Sequence, residues 1–369
     1  MRSRSVGIAL AVRDVRPGPS APTTIRRDAA RRKPREWRST AARHDGARKR
    51  AAHGSRRVPL ARDVTAASSW CSRDPRSHVR PLSPPRVRLV LRLLAFAALA
   101  GALFSLFVVV LAWRWQERLV WQPPPAFPRT VGGADVRRVD YAAEDGQPLL
   151  GYLVTPPETG LAADARPPHL VVAFHGNAEV AAHRVTWAQA LARRTGWAVL
   201  LAEYRGYAGL PGAPTYEGAR LDARAAYRWA HDALGVPAER IAVFGISLGS
   251  AVASELAAEV SPRALVLQSP FTSARDMARA IGTWPVALAW PLIGRVAFDT
   301  RTRVAALDAP VWVLHGDDDH VIPTWMGRAV HAAARRPGGL LVIPGAGHND
   351  LEMIGGERYW RFLAAALAL

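Results

Sequence analysis

A serine stands between two glycines where an apolar run ends and a run of small residues begins. The stretch IAVFGISLGSAVA covers residues 241–253 and holds Gly245, Ser247 and Gly249 in a G-x-S-x-G pattern. This pattern turns the chain sharply from a strand into a helix and exposes the serine hydroxyl at the helix amino terminus, which favours negative charge. The short pattern also recurs by chance. Here the required strand and helix flank it, so Ser247 is predicted to be a nucleophile.

A serine hydroxyl is a weak nucleophile at neutral pH and needs a base, which in turn needs an orienting acid. The sequence HGDDDHVIP, directly after the apolar run 310–314, offers the three aspartates Asp317–Asp319. The sequence PGAGHND follows the next apolar run and offers His348 as the base. If these strands are parallel, both loops open at the edge of the sheet where Ser247 lies. The residues alone leave the choice among the three aspartates open.

The loop after the apolar run 170–174 reads HGNAEV and is a candidate for stabilising a developing oxyanion. We expect the backbone amide of Asn177 or Ala178, together with that of Leu248 after the serine, to hold this charge. The alternative is an ordinary turn between a strand and a helix. Side chains and backbone supply every group that this chemistry needs, so no cofactor is expected.

Three further histidines have simpler explanations than catalysis. His175 and His315 each follow an apolar run and precede a glycine, and we expect their rings to hydrogen-bond loop backbone. His320 adjoins three carboxylates, which fits a surface ion cluster or a metal site. Because no other His or Cys stands at ligand spacing from it, no metal site is predicted.

The elements that must position these residues alternate between short apolar runs and helical patterns. This alternation is typical of an α/β fold, in which helices cover both faces of a mostly parallel sheet. Eight strands are expected, the first two as a hairpin, over residues 136–141, 149–155, 170–174, 198–203, 241–244, 264–268, 311–314 and 340–343. Helices are expected near residues 179–195, 216–234, 247–260, 324–334 and 357–367.

A long apolar segment precedes this domain. Residues 93–113 read LLAFAALAGALFSLFVVVLAW and carry no charge. About 20 apolar residues at a rise of 1.5 Å each cross the roughly 30 Å hydrocarbon core of a bilayer. A buried globular helix or a cleaved signal peptide fits less well, because the run lacks a polar face and tryptophans follow it. We therefore expect a transmembrane helix over residues 89–114 and one further domain over residues 115–369.

The amino-terminal segment, residues 1–88, is strongly basic. It holds 23 of the 49 Lys and Arg residues and 6 of the 30 Asp and Glu residues, and so carries most of the formal net charge of +19. Its composition buries too little apolar surface to fold, so a disordered tail is expected. With two aromatic residues and no zinc-ligand pattern, it is not expected to bind nucleic acid. The single cysteine of the chain, Cys71, lies in this tail.

The arginines that crowd the segment before the apolar run predict the orientation of the chain. Arg80, Arg86, Arg88 and Arg92 stand on this flank. Positive charge favours the cytoplasmic side of a membrane. The tail is therefore expected in the cytoplasm and the domain after the span on the other side.

From about Trp115 to the carboxyl terminus, the chain resembles the α/β-hydrolase family. Within it, the chain is most similar to membrane-anchored serine hydrolases whose eukaryotic relatives include protein depalmitoylases. The resemblance implies that Ser247 is the nucleophile, His348 the base and Asp319 the acid, and so chooses among the aspartates. The matching stretches stand in family order: FHGNA at 174–178, YRGY at 204–207, GISLGSAVA at 245–253, SPFTS at 269–273, HGDDDHVIP at 315–323 and GAGHND at 345–350.

The resemblance also implies an activity. The expected protein is a membrane-anchored serine hydrolase that cleaves carboxylic esters or thioesters of small or lipid-like substrates through an acyl-enzyme intermediate. An amidase or peptidase of the same fold, or a non-catalytic scaffold, is the alternative, because one fold supports many functions. No oligomeric state is predicted.

Two departures from the family pattern and one segment bear on specificity. Glu179 stands where these relatives often have glycine, and Ala208 where glycine usually follows YRGY. An acid at position 179 is expected to repel anionic substrates or to raise the pKa of the base. The segment 269–303 is expected to cap the site. Its aromatic side chains would either line an acyl pocket or pack two short helices onto the sheet: Phe271, Trp284, Trp290 and Phe298.

Overall fold

The computed structural model describes residues 84–128, 131–157 and 166–368. Most of the predicted basic tail, including Cys71, therefore lies outside the described residues. The remainder has the predicted α/β fold, with a mostly parallel eight-stranded sheet and helices on both faces.

All eight predicted strands are present, with ends that agree to within a few residues. They are β1 (Val136–Ala142), β2 (Pro148–Val154), β3 (Leu170–Phe174), β4 (Ala198–Ala202), β5 (Ile241–Ile246), β6 (Leu265–Gln268), β7 (Val311–Gly316) and β8 (Pro337–Ile343). Their order in the sheet is β1-β2-β4-β3-β5-β6-β7-β8. β2 pairs antiparallel with β1 and β4, and all other neighbours are parallel. The carboxyl ends of β3 to β8 therefore meet at one edge, where ligands bind in such sheets.

The five predicted helices of the domain are present, and shorter ones accompany them. In chain order the helices are α1 (Pro84–Val120), α2 (Val185–Thr195), α3 (Tyr216–Arg228), α4 (Leu248–Val260), α5 (Ala274–Ala280), α6 (Trp284–Ile293), α7 (Thr300–Ala306), α8 (Thr324–Ala333), α9 (Leu351–Gly355) and α10 (Glu357–Leu367). The sequence did not delimit α5, α6, α7 and α9. α5, α7 and α9 hold seven residues or fewer, too few turns for a clear period, and α6 is apolar throughout and so shows no alternation of polar and apolar sides.

The inner strands read as continuous apolar runs because helices cover both faces of the sheet. In β3, Val172 and Phe174 face one hydrophobic layer, which α3, α4 and α8 complete. The alternate residues Val171 and Ala173 face a second layer, completed by α2 and α10. Strands buried on both faces lose the alternation of polar and apolar residues. This double burial explains why β3 carries no polar residue.

α1 is long and apolar enough to cross a membrane, and among the described residues no other helix is. It spans 37 residues and extends beyond the predicted 89–114 at both ends, so residues 84–88, assigned above to the tail, are helical. No residue of its most apolar window is buried. The last turns instead meet the α/β domain, where Gln116 and the following Trp121 are buried.

Candidate active site

Ser247 occupies a strained turn between β5 and α4. Its φ of 53° and ψ of −118° lie in a region that L residues rarely adopt. A Cβ added to Gly245 would collide with the backbone of Gly249, and one added to Gly249 would collide with the carbonyl groups of Phe174 and His175. Steric constraints therefore require glycine at both positions. We call residues 245–249 the Ser247 turn.

The loops after β7 and β8 bring two of the predicted residues to this turn. His348 Nε2 lies 3.0 Å from Ser247 Oγ. His348 Nδ1 lies 2.7 Å from Asp319 Oδ2. With the proton on Nδ1 donated to the carboxylate, Nε2 is free to accept the serine proton. The structure thus brings Ser247, His348 and Asp319 into one hydrogen-bonded relay.

Asp319 is held as an ionised carboxylate by donors close to it in sequence. The amides of Val321 and Ile322 donate to Asp319 Oδ1 over 2.9 and 2.8 Å. Burial alone would raise the pKa of Asp319, but hydrogen bonds from His315, His348 and the Ile322 amide outweigh it and hold the pKa well below its usual range. The Asp319 carboxylate is therefore charged at any pH at which His348 could act as a base.

His315 does more than the sequence analysis assigned to it. Its Nε2 donates to the Ile322 carbonyl over 2.9 Å, which is the expected bond to loop backbone. The same nitrogen lies 3.2 Å from Asp319 Oδ2, and the ring is fully buried. The spacing of four residues between His315 and Asp319 is visible in the sequence, but a strand followed by a turn gives no rule that joins those positions.

The two other aspartates of the HGDDDHVIP stretch do not reach the histidine of the relay. Asp317 Oδ1 accepts from the amide of Gly345 over 2.6 Å and so ties the β7 loop to the β8 loop. Asp318 pairs with His320 over 3.3 Å, and both side chains are exposed. This pair is the surface ion cluster considered for His320. Within the described ranges, no group of three or more His, Cys, Asp and Glu side chains is arranged to hold a metal ion.

The loop that follows β3, residues 175–180, carries the predicted oxyanion donors and is here called the β3 loop. The Asn177 side chain makes several of the hydrogen bonds that hold this loop. Asn177 Oδ1 accepts from the amide of Gln122 and from Tyr207 Oη, both over 2.8 Å. Asn177 Nδ2 donates to the carbonyl of Val120, the last residue of α1. The end of α1 is thereby tied to the loop that faces Ser247.

The three backbone amides predicted to stabilise an oxyanion differ in whether they already donate a hydrogen bond. The Ala178 amide donates to Asn177 Oδ1 over 3.1 Å. In the described part of the chain, neither the Asn177 amide nor the Leu248 amide has a hydrogen-bond acceptor. Leu248 is the first residue of α4, where helix geometry leaves amides without partners. Asn177 and Leu248 are thus the two free donors among the three.

Glu179, the departure from the family pattern, is neutralised by a neighbour. Its Oε2 accepts from Arg184 Nε, and its Oε1 accepts from the Gly176 amide, each over 2.6 Å. Burial alone would raise the pKa of Glu179, but the Arg184 guanidinium lowers it below its ordinary value. The charge that we expected to repel anionic substrates is therefore balanced inside the β3 loop.

Behind the β3 loop lies a buried ion pair that the sequence analysis missed. His175 Nε2 lies 2.7 Å from Glu203 Oε1, and its Nδ1 lies 2.8 Å from the Gly176 carbonyl. Both ring nitrogens face acceptors, so both carry protons. Burial alone would lower the pKa of His175, but the Glu203 carboxylate more than offsets this and raises it. Glu203 Oε2 also accepts from the amide of Ala181, which fixes the far end of the loop.

The aromatic side chains of the segment 269–303 divide between core and surface. Phe271 and Phe298 are buried in the core layer that also holds Trp121. Trp290 packs against that layer from α6, which agrees with the packing alternative. Trp284, at the start of α6, is 58% exposed. Phe271 and Phe298 therefore support the core rather than line an open pocket.

Known proteins resemble this chain in sequence. A family model described as alpha/beta hydrolase fold matches residues 169–290. The uncharacterized protein Rv2307c of Mycobacterium tuberculosis is 37% identical over 264 residues, which cover 69% of this chain and 88% of that protein. The alpha/beta hydrolase domain-containing protein 17B of Homo sapiens is 29% identical over 167 residues, or 44% of this chain and 54% of that protein.

Solved structures share the fold at low sequence identity. An esterase of Pyrococcus furiosus superposes with a TM-score of 0.52 at 19% identity, over 68% of this chain and 97% of the esterase. An acetyl xylan esterase from Paenibacillus sp. R4 superposes with a TM-score of 0.51 at 20% identity, over 70% of this chain and 94% of that enzyme. Such likeness establishes the fold and leaves the substrate open. Together with the sequence matches, it shows that the chain belongs to the α/β-hydrolase family.

Proposed function

We propose that the chain is a serine hydrolase that cleaves carboxylic esters or thioesters through an acyl-enzyme intermediate. The observation that carries the proposal is the continuous relay from Ser247 Oγ through the His348 ring to the Asp319 carboxylate, with distances of 3.0 and 2.7 Å. Each contact lies within the reach of a proton transfer. A scaffold that kept only the fold would not need this geometry.

The mechanism divides into two half-reactions. Ser247 Oγ attacks the carbonyl carbon while His348 Nε2 takes its proton, and Asp319 stabilises the imidazolium that forms. The proton then passes to the leaving alcohol or thiol, which departs as the acyl group stays on Ser247. In the second half, water attacks the acyl carbon while His348 Nε2 takes its proton. The bond from this carbon to Ser247 Oγ then breaks, His348 returns the proton to Ser247 Oγ, and the carboxylic acid is released.

The free amides of Asn177 and Leu248 are proposed as the donors to the oxyanion in both half-reactions. Two such donors aimed at the developing charge are worth a large share of the acceleration, because they need no reorganisation. The Ala178 amide, which already donates to the Asn177 side chain, is assigned to holding the loop.

We further propose that α1 anchors the hydrolase in a membrane. In this proposal residues 1–88 form a basic tail, residues 89–114 the span, and residues 115–369 the hydrolase domain. The apolar, exposed surface of α1 supports the anchor, and the arginines before it support a cytoplasmic amino terminus. A reporter fused after Leu369 that proves cytoplasmic would contradict this orientation.

The experiment that tests the activity uses the full-length protein in detergent and p-nitrophenyl esters of increasing acyl length. We expect Ser247→Ala to retain less than about 10⁻⁴ of the wild-type turnover. Ser261→Ala is the matched control, because this exposed serine caps the other end of α4. Equal turnover in wild type and Ser247→Ala would refute the mechanism. Hydrolysis of p-nitroanilides with no turnover of esters would move the substrate class to amides.

A further inference from the structure

Large exposed apolar side chains gather at one edge of the hydrolase domain. Beyond α1, the described residues include eight of them, and all eight lie on segments that follow the carboxyl ends of β6, β7 and β8. Four stand between β6 and β7, and the others are Val321, Trp325, Met353 and Ile354. This is the edge at which the relay lies. Exposed apolar side chains that cluster on a surface mark interaction sites, so each group of them on this edge is a candidate.

The densest part of this surface is one face of α6. Trp284, Leu288 and Leu292 recur every four residues of α6, which places them on a single side of the helix. On the opposite side of α6, Val286 and Ala287 are buried against the domain. We call the exposed side the α6 face. The exposed fractions of its members are 58% for Trp284, 68% for Leu288 and 90% for Leu292, and Ile281, which directly follows α5, is 67% exposed.

α6 is fixed to α1 just beyond the end of the apolar run. The buried side chain of Gln116 donates through Nε2 to the carbonyl of Ile293 over 3.0 Å. Gln116 Oε1 accepts from the amides of Arg295 and Val296 over 2.7 and 3.1 Å. The carboxyl end of α6 is therefore held three residues past Trp113, or about 5 Å along the axis of α1.

This attachment sets the position of α6 along the axis of α1, relative to the end of the apolar run. Val108, Val109 and Ala112, inside that run, are half-buried and lie on the same side of α1 as Gln116. The domain thus covers α1 from about 8 Å inside the apolar run outward. The interfacial layer of a bilayer is about 5–8 Å thick on each side. An element attached here lies at the level of that layer if α1 crosses the membrane.

We propose that the α6 face docks into the interfacial layer of the same bilayer that α1 crosses. This proposal rests on the membrane anchoring proposed above. An apolar helix that lies in the interface buries its face about 5–10 Å deep, with tryptophan at the boundary and cations toward the headgroups. Trp284 supplies the tryptophan, and the exposed Arg114, Arg118 and Arg295 supply charge beside the contact of α1 with α6. The edge that carries Ser247 then faces the lipid, so ester substrates dissolved in the bilayer reach it directly.

The test uses the full-length protein and its single cysteine. In a Cys71→Ser background, Leu292→Cys is labelled with the fluorophore NBD and reconstituted into vesicles of phosphatidylcholine and phosphatidylglycerol. The matched control is Glu239→Cys, an exposed position directly before β5 at the opposite edge of the sheet. We expect doxyl-labelled lipid to quench the label at 292 severalfold more than the label at 239. Iodide in the buffer should give the reverse order.

Three outcomes would overturn the proposal. Equal quenching of both labels by iodide, in vesicles that retain the protein during alkaline carbonate extraction, would refute the docking and leave the anchor intact. Release of the protein by carbonate would refute the anchor and the docking together. A label at 292 shielded from both quenchers, with disulfide-linked dimers of the unlabelled Leu292→Cys protein, would assign the α6 face to a second copy of the chain.

Discussion

The two halves of the candidate site are held in different ways. The Ser247 turn and Asp319 depend on neighbours close in sequence: glycines two residues away for the serine, and amides two and three residues away for the aspartate. The β3 loop depends on distant segments. Gln122 reaches Asn177 across 55 residues of chain, and Glu203 reaches His175 across 28.

This difference distinguishes the groups that would perform the proposed chemistry from the β3 loop, which connects them to the rest of the molecule. The locally held groups form the relay itself, and their loss should remove turnover with little change elsewhere. The β3 loop connects the proposed oxyanion donors to the end of α1 through Asn177 and to the core through Glu203. Substitutions in the β3 loop should lower turnover less than substitutions in the relay. They should instead change how strongly turnover depends on α1 and on pH.

The largest effect is expected for Asp319→Asn. The amide keeps the size of the side chain but removes the charge that stabilises the imidazolium of His348, so kcat should fall by about 10⁴-fold. Steady-state hydrolysis of a p-nitrophenyl ester measures this loss. Asp318→Asn, one residue earlier and exposed, is the control and should keep wild-type turnover. Similar losses in both variants would mean that the loop, rather than the carboxylate, is what matters.

The next effect separates a glycine of the Ser247 turn from a glycine of the β3 loop. In Gly249→Ala the new Cβ meets the carbonyl groups of Phe174 and His175, which are backbone and cannot yield. In Gly176→Ala it meets the Glu179 carboxylate at 2.9 Å, the far end of a side chain, which can shift more easily than backbone. We expect Gly249→Ala to lower the free energy of unfolding by about 3 kcal/mol and Gly176→Ala by about 1 kcal/mol.

Thermal melts and ester turnover check the glycine prediction together. Gly249→Ala should also lose more than about 100-fold in kcat, because a small displacement of the nucleophile is costly. A Gly176→Ala protein that is less stable than Gly249→Ala would show that the β3 loop, and not the Ser247 turn, is the tighter constraint.

A smaller effect is expected for Asn177→Ala, which leaves the backbone amide in place. The variant loses the bonds to Gln122, Tyr207 and the Val120 carbonyl, so the proposed donor is less well positioned. We expect kcat to fall by about 10-fold, with KM less affected. Asn349→Ala is the control, because this exposed asparagine stands next to His348 without a partner among the described residues. Unchanged kcat in Asn177→Ala would exclude a positioning role for this side chain.

The same division explains how far the sequence could predict the structure. Strands such as β3 and β5 are apolar throughout because they are buried on both faces, and Gly245 and Gly249 stand in one short motif around Ser247, so both leave a pattern along the chain. The ion pair of His175 with Glu203 and the contacts of Asn177 with α1 leave none, since their partners are brought together only by the tertiary fold. α5, α7 and α9 were not predicted, because seven or fewer residues show no clear helical period.

The smallest effect is expected in the pH dependence of stability and concerns the buried pair behind the β3 loop. The Glu203 carboxylate raises the folded-state pKa of His175 above its unfolded value near 6.5. A raised pKa contributes stability that is complete below the unfolded pKa and is lost as the pH rises through the folded pKa. In wild type, the pair should therefore stabilise fully below about pH 6.5 and progressively less above it.

Glu203→Gln removes the charge and keeps a hydrogen-bond acceptor for His175. The difference in Tm between wild type and this variant should be largest below about pH 6.5 and should shrink at higher pH. Asp232→Asn is the control, because the His231–Asp232 pair has a similar distance of 2.6 Å but lies on the surface, where ion pairs contribute little. A Tm difference that grows with pH would reverse the assigned sign and would mean that His175 is neutral when it contacts Glu203.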